Sequence, residues 1–254
     1  MSPAFTRGFA ALTLFAITLI RVTSASAQGM SGMTSTMDMD RQIRVFGIAE
    51  LLEYVPNGRG SIRADALAWI GGDYNRIYFR LDGDKALQTS GGETEVDIAY
   101  GRLVTPVWTA LAGARVEVRG LGSAQRSTRT LLALGFEGLS TYWFVVEPAL
   151  YVSKTGQVSG RFATAMDLLF TQRLILQPRL ETHFAVQQVA ALGIGSGIND
   201  IELGARMRYE FRREFAPYIG LRWFRRTGGT AGLARASGET VGEAGLVAGV
   251  RMWR

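Results

Sequence analysis

Four methionines fall within ten residues near the N-terminus, in Met30-Ser31-Gly32-Met33-Thr34-Ser35-Thr36-Met37-Asp38-Met39-Asp40. Thioether sulfur is a soft ligand that suits Cu(I). The M-x-x-M and M-x-M spacings let several sulfurs converge on one ion in a flexible chain. Asp38 and Asp40 add hard oxygens that favour recruitment of Cu(II). The surrounding segment, Gln28–Gln42, has no hydrophobic periodicity and reads as a disordered extension. An inert linker is the competing reading of the same residues.

The only histidine is His183, which shares a face with Arg179 and Glu181. A hydrolase would need a serine beside it, but the chain continues Phe184-Ala185. One histidine also excludes a three-His catalytic zinc site. A ring held by neighbouring charges is the simpler reading, and no catalytic or organic-cofactor site is expected. Gly193-Ile194-Gly195-Ser196-Gly197 has the composition of a phosphate loop. It follows no buried parallel strand and opens no helix, so it reads as a connection.

The elements that carry these residues are strands. From Phe170 to Trp223 three segments alternate apolar and polar positions with period 2. Leu174, Leu176, Leu180, Thr182 and Phe184 oppose Arg173, Gln177, Arg179, Glu181 and His183. Ile201, Leu203, Ala205, Met207 and Tyr209 oppose Asp200, Glu202, Arg206, Arg208 and Glu210. Phe215, Pro217, Ile219, Leu221 and Trp223 share a third apolar face. One charged and one apolar face on successive long strands suits a barrel with lipid outside and an ion-paired lumen. By the same parity Arg76, Arg80, Glu95, Asp97, Arg115, Glu117, Arg129, Glu137, Glu147, Arg161 and Asp167 point inward, and a narrow barrel must pair them. A charge placed at Leu203 is expected to cost more than neutralising Glu202.

Twelve strands can be drawn, at 43–54, 62–70, 74–82, 93–102, 107–119, 128–137, 141–153, 158–170, 174–187, 199–211, 215–224 and 241–253. Odd-numbered connections are mostly long and even-numbered ones short, as in barrels with long outer loops and tight periplasmic turns. Both termini then fall on the short-turn, periplasmic side. Trp69, Tyr74, Trp108, Tyr142, Trp143, Tyr218 and Trp253 cluster near those short turns and are expected to form an interfacial girdle.

Residues 1–27 read as a secretory signal: Arg7, an apolar run Phe9–Ile20, and Ala25-Ser26-Ala27 as cleavage site. Its removal deletes Arg7 and Arg21 and lowers the net charge from +6 to +4. The domain plan is thus a signal over 1–27, a Met-bearing extension over 28–42 and a barrel over 43–254. The chain has no cysteine, so the fold alone must stabilise it. Its arginines interleave with Asp and Glu along strands instead of forming a basic patch, which argues against nucleic acid.

Three stretches carry a family resemblance: LLFTQRLILQPRLE, GIGSGINDIELGARMRYEFRREFAPYIGLRW and WIGGDYNRIYFRLDGD. They resemble the copper resistance protein B family of bacterial outer membranes, over about Val45 to Trp253. The resemblance implies an all-β, antiparallel transmembrane barrel in the outer membrane, connected with copper tolerance. It implies copper ions and membrane lipid as contacts, with a periplasmic copper oxidase or copper carrier as partner. Family members often carry longer Met- and His-rich repeats before the barrel. This chain has four methionines and no histidine there, which argues against tight or multiple copper sites. Two rival readings are a non-specific pore or scaffold and a barrel hydrolase using His183.

Overall fold

In the computed structural model, which describes residues 43–56, 60–87, 92–120, 126–140 and 143–254, the alternating segments form one antiparallel sheet. The first seven strands are β1 (Arg44–Val55), β2 (Ser61–Gly71), β3 (Asn75–Ala86), β4 (Gly92–Thr105), β5 (Trp108–Arg119), β6 (Ser127–Leu139) and β7 (Val145–Ser153). They are followed by β8 (Val158–Ala165), β9 (Leu168–Leu169), β10 (Leu174–Ala185), β11 (Gly197–Tyr209), β12 (Phe215–Arg226) and β13 (Gly242–Trp253). Neighbours in the chain pair in order, and β1 pairs with β13 to close the ring. β9 is a two-residue patch on β10, so the wall is a closed barrel of 12 strands. Closure pairs the first strand with the last and so removes free sheet edges, except where the ladder between β8 and β10 ends at Ala165.

Alternation sets the two faces. Ile98, Tyr100, Leu132, Leu134, Phe136, Leu203, Ile219, Leu221 and Leu246 are exposed on the outside, giving the apolar belt that a lipid-facing barrel needs. The opposite parity turns Arg63, Asp65, Arg115, Glu117, Arg161, Arg179, Glu181, Glu202, Arg206 and Arg222 into the lumen, where they are buried.

The expected strand over 158–170 is interrupted at Met166 and Asp167. Met166 N donates to Pro178 O at 3.2 Å, but Pro178 has no N–H to return, so the ladder with β10 is broken there. β7 begins at Val145, later than expected, because the chain turns at Trp143, a non-glycine residue at φ +66°. Arg173, expected inside, is exposed in the turn before β10.

The girdle expectation holds only in part. Trp69, Tyr218 and Trp253 turn into the lumen. Arg76 lies 4.1 Å over the Trp69 ring, Phe46 packs between Trp69 and Trp253 at 5.8 and 6.4 Å, and Tyr218 is 5% exposed. These aromatics fill the short-turn end of the barrel from within. Tyr74 and Trp143 are exposed at that end, and Tyr142 lies outside the described residues.

The long connection after β12 contains a helix that alternation does not anticipate, α1 (Gly228–Ala236). Its glycines disfavour a helix, but burial of Thr230, Ala231 and Ala234 holds one side of it down. Thr230 Oγ1 accepts from Gly195 N at 2.8 Å and donates to Asn199 Oδ1 at 3.0 Å. A side chain at Gly195 would collide with the Gly229 and Thr230 backbone. The β10–β11 connection beneath it makes a 3-10 turn, Ala190–Leu192, whose Leu192 O accepts from Arg119 Nη1 of β5 at 2.7 Å. Strand β5 is four strands away from β10 around the ring, so this connection reaches over part of the long-loop mouth.

Candidate functional site: the charged lumen

Register places charges in rows around the wall. Asp65 pairs with Asp82, Asp82 with Glu95, Glu95 with Glu117 and Glu117 with Arg129. Four carboxylates thus stand on directly opposed positions of β2 to β5, where like charges repel. Arginines from elsewhere relieve three of them. Arg179 Nη2 donates to Asp65 at 2.8 Å, Arg115 bonds Glu95, and Arg129 Nε donates to Glu117 at 2.6 Å. Asp82 makes no hydrogen bond or ion pair with another described residue, and neither does Asp84 on the same face. Glu137 has a buried Oε2 without a partner.

The rest of the lumen is a lattice of shared arginines. Glu202 takes Arg63 and, at 2.9 Å, Arg222 Nη2. Glu181 takes Arg161 Nε at 2.6 Å and Arg179 Nη2 at 3.1 Å. Glu147 takes Arg80 at 2.6 Å and Arg161 at 3.3 Å. Arg206 is clamped on Glu53. Charge-assisted, two-pronged bonds of this kind fix geometry as well as energy. An arginine–carboxylate lattice thus occupies much of the interior among the described residues.

His183 sits in this lattice near the long-loop end. Its Nδ1 lies 2.8 Å from Asp200 Oδ1 and its Nε2 lies 3.8 Å from Glu181. The ring makes no bond to a serine or threonine hydroxyl among the described residues, and Thr182 Oγ1 donates to the Asp200 backbone oxygen instead. A His–Asp pair is present without a nucleophile beside it.

The predicted copper ligands Met30, Met33, Met37, Met39, Asp38 and Asp40 lie outside the described residues. Among the described residues no group of three or more His, Cys, Asp or Glu is arranged to hold a metal ion.

Comparison with known proteins fits this architecture. The model of the copper resistance protein B precursor (CopB) family matches residues 43–254, the whole barrel. The chain belongs to the copper resistance protein B family. It is 41% identical over 189 residues to copper resistance protein B of Escherichia coli, covering 73% of this chain and 61% of that protein. It is 37% identical over 217 residues to the copper resistance protein B homolog of Pseudomonas syringae pv. tomato, covering 84% and 71%. The chain thus spans about three-fifths of the length of the first of these CopB relatives. Among solved structures, the NanC porin aligns with 82% of this chain and 99% of its own, at 11% identity and a TM-score of 0.49.

Several lumen residues of this CopB-family barrel are not evident from alternation alone. Glu53 is hidden because register shifts between Ala49 and Leu52, and such a bulge reverses the parity of everything after it. Arg63-x-Asp65 and Asp82-x-Asp84 do alternate, and that spacing is the signal that could have placed them.

Proposed function

We propose that this CopB-family barrel acts in copper resistance at the outer membrane, with its short-turn end and N-terminal extension in the periplasm. The extension binds copper through Met30, Met33, Met37 and Met39, with Cu(I) favoured by the soft sulfurs and Asp38 and Asp40 adding oxygens. The barrel anchors that segment and attracts the ion, so that copper is sequestered or exported at the membrane. The observation that carries this reading is a set of lumen carboxylates with no direct partner. Asp82, Asp84 and Glu137 make no direct hydrogen bond or ion pair with another described residue. Carboxylates with no direct partner keep oxygens free for a cation, although Arg63, Arg222 and Arg80 stand near these three. A periplasmic copper oxidase or carrier would supply or receive the ion. Catalysis is not part of this reading.

The test is copper tolerance in a strain that lacks the protein. Wild type is expected to restore growth on copper. The Asp82→Asn/Asp84→Asn/Glu137→Gln variant is expected to insert normally, as heat-modifiable gel migration would report, yet to restore tolerance poorly. Full rescue by the neutralised barrel would remove the lumen charge from the mechanism and favour the scaffold reading.

A further inference from the structure

A cavity of about 420 Å³ opens into the lumen at the short-turn end. Its wall includes Glu50, Glu147, Asp167, Arg179 and Arg251, with Trp143 at the rim. It lies where β7 starts late and β8 breaks off, so the gap in the wall and the cavity have one origin. Trp143 is 80% exposed, and the Glu50 and Asp167 side chains are 36% and 37% exposed, so water reaches the cavity.

Each carboxylate of this cavity is already taken. Arg80 and Arg161 hold Glu147, Arg208 Nη1 donates to Asp167 at 2.9 Å, and Arg179 Nη1 reaches Glu50 at 3.4 Å. Arg251 is the exception. It makes no direct hydrogen bond or ion pair with another described residue and its Nε is buried without a partner, while the Glu50, Asp167 and Glu210 carboxylates stand near it without a direct bond. The buried Nε atoms of Arg179 and Arg208 are also unpartnered. A guanidinium offers five donors and cannot shed its charge. One without a direct partner, facing a hydrated cavity, keeps donors free for an anion.

We infer that this cavity is an anion site, in which Arg251 receives a carboxylate or phosphate group two-pronged, with Arg179 behind it. The cavity is larger than one such group and has room for an oxyanion of citrate size. Two sources share this chemistry: a solute in the periplasm, or the side chains of Asp38 and Asp40 in the chain's own N-terminal extension. The inference stands on the barrel alone and does not depend on the copper reading.

The experiment is a titration of the refolded full-length protein in detergent with citrate at constant ionic strength. It is followed by tryptophan fluorescence, because Trp143 lines the cavity and Trp253 is two residues from Arg251. Saturable binding is expected in wild type and a loss of at least tenfold in Arg251→Gln. Arg251→Lys, which keeps the charge but not the fork, should bind at intermediate strength and covers the case in which Arg251→Gln does not fold. Glu50→Gln removes a competing negative charge and should bind more tightly than wild type. Tighter citrate binding in Asp38→Asn/Asp40→Asn would identify the extension as the native occupant, and unchanged binding would identify a solute. Binding that is non-saturable, equal in the Arg251 variants, or weakened by Glu50→Gln would overturn the inference and leave Arg251 bridged to Glu50 through water.

Discussion

Arg206 on β11 and Glu53 on β1 meet inside the barrel through two parallel bonds of 3.0 and 2.9 Å, although 153 residues separate them. Their side chains are 2% and 0% exposed, and Tyr218 donates to the same carboxylate at 3.2 Å. Loss of one partner strands the other charge where water cannot reach it. Glu53→Gln is therefore expected to lower unfolding stability in urea by about 3–5 kcal/mol. The double variant Glu53→Leu/Arg206→Met should lose less than either single change, because no buried charge is left over. A double variant as damaged as the sum of the singles would mean that the two residues act independently.

The neighbouring positions Glu202 and Leu203 set the two faces against each other. Leu203 is 47% exposed on the lipid side, so Leu203→Arg should cost about 2–4 kcal/mol near the membrane midplane. Alternation alone ranks Glu202→Gln as the milder change. The structure narrows that difference, since Glu202 is 6% exposed and is shared by Arg63 and Arg222. Its neutralisation takes one carboxylate from each of two guanidinium groups, although Arg63 keeps Glu181 and Arg222 keeps Glu243, so its cost should approach that of Leu203→Arg. Equilibrium unfolding of both variants in one lipid would rank them directly.

The barrel was legible because period-2 alternation is a local property and survives without knowledge of partners. Charge placement followed from it wherever a strand ran regularly, as for Arg179, Glu181, Arg206 and Arg208. It failed where the backbone departs from regularity. The bulge in β1 concealed Glu53, and the proline-induced break after Ala165 concealed the cavity beside Arg251. Partner choice was not legible at all, since Arg80 reaches Glu147 across 67 residues and no spacing rule connects them. Helix α1 was hidden for another reason: its glycines argue against a helix, and only its packing on the β10–β11 connection overrides them.

That packing is testable at two glycines with opposite surroundings. A side chain at Gly195 meets the Gly229 and Thr230 backbone, whereas Gly232 has open space around it. Gly195→Val should detach α1 and expose Arg235 to trypsin many times faster in detergent, with the barrel itself still resistant. Gly232→Ala should slow the same cut, because alanine favours the helix by about 0.5–1 kcal/mol. Equal cleavage in the two variants would show that the cover over the long-loop mouth does not depend on the Gly195 contact.

The division of labour between extension and barrel yields the last expectation. The lumen offers carboxylates and arginines, which are hard and mostly committed to each other, together with one imidazole held by Asp200. The extension offers Met30, Met33, Met37 and Met39, soft donors on a segment that precedes the first strand at Arg44. Deleting Met30–Asp40 should therefore abolish Cu(I) binding, measured by isothermal titration, while the barrel keeps its heat-modifiable migration. His183→Ala should leave Cu(I) binding nearly intact. If the shortened barrel bound Cu(I) as tightly as the full chain, the copper site would have to lie among lumen residues, and the methionines would be a linker.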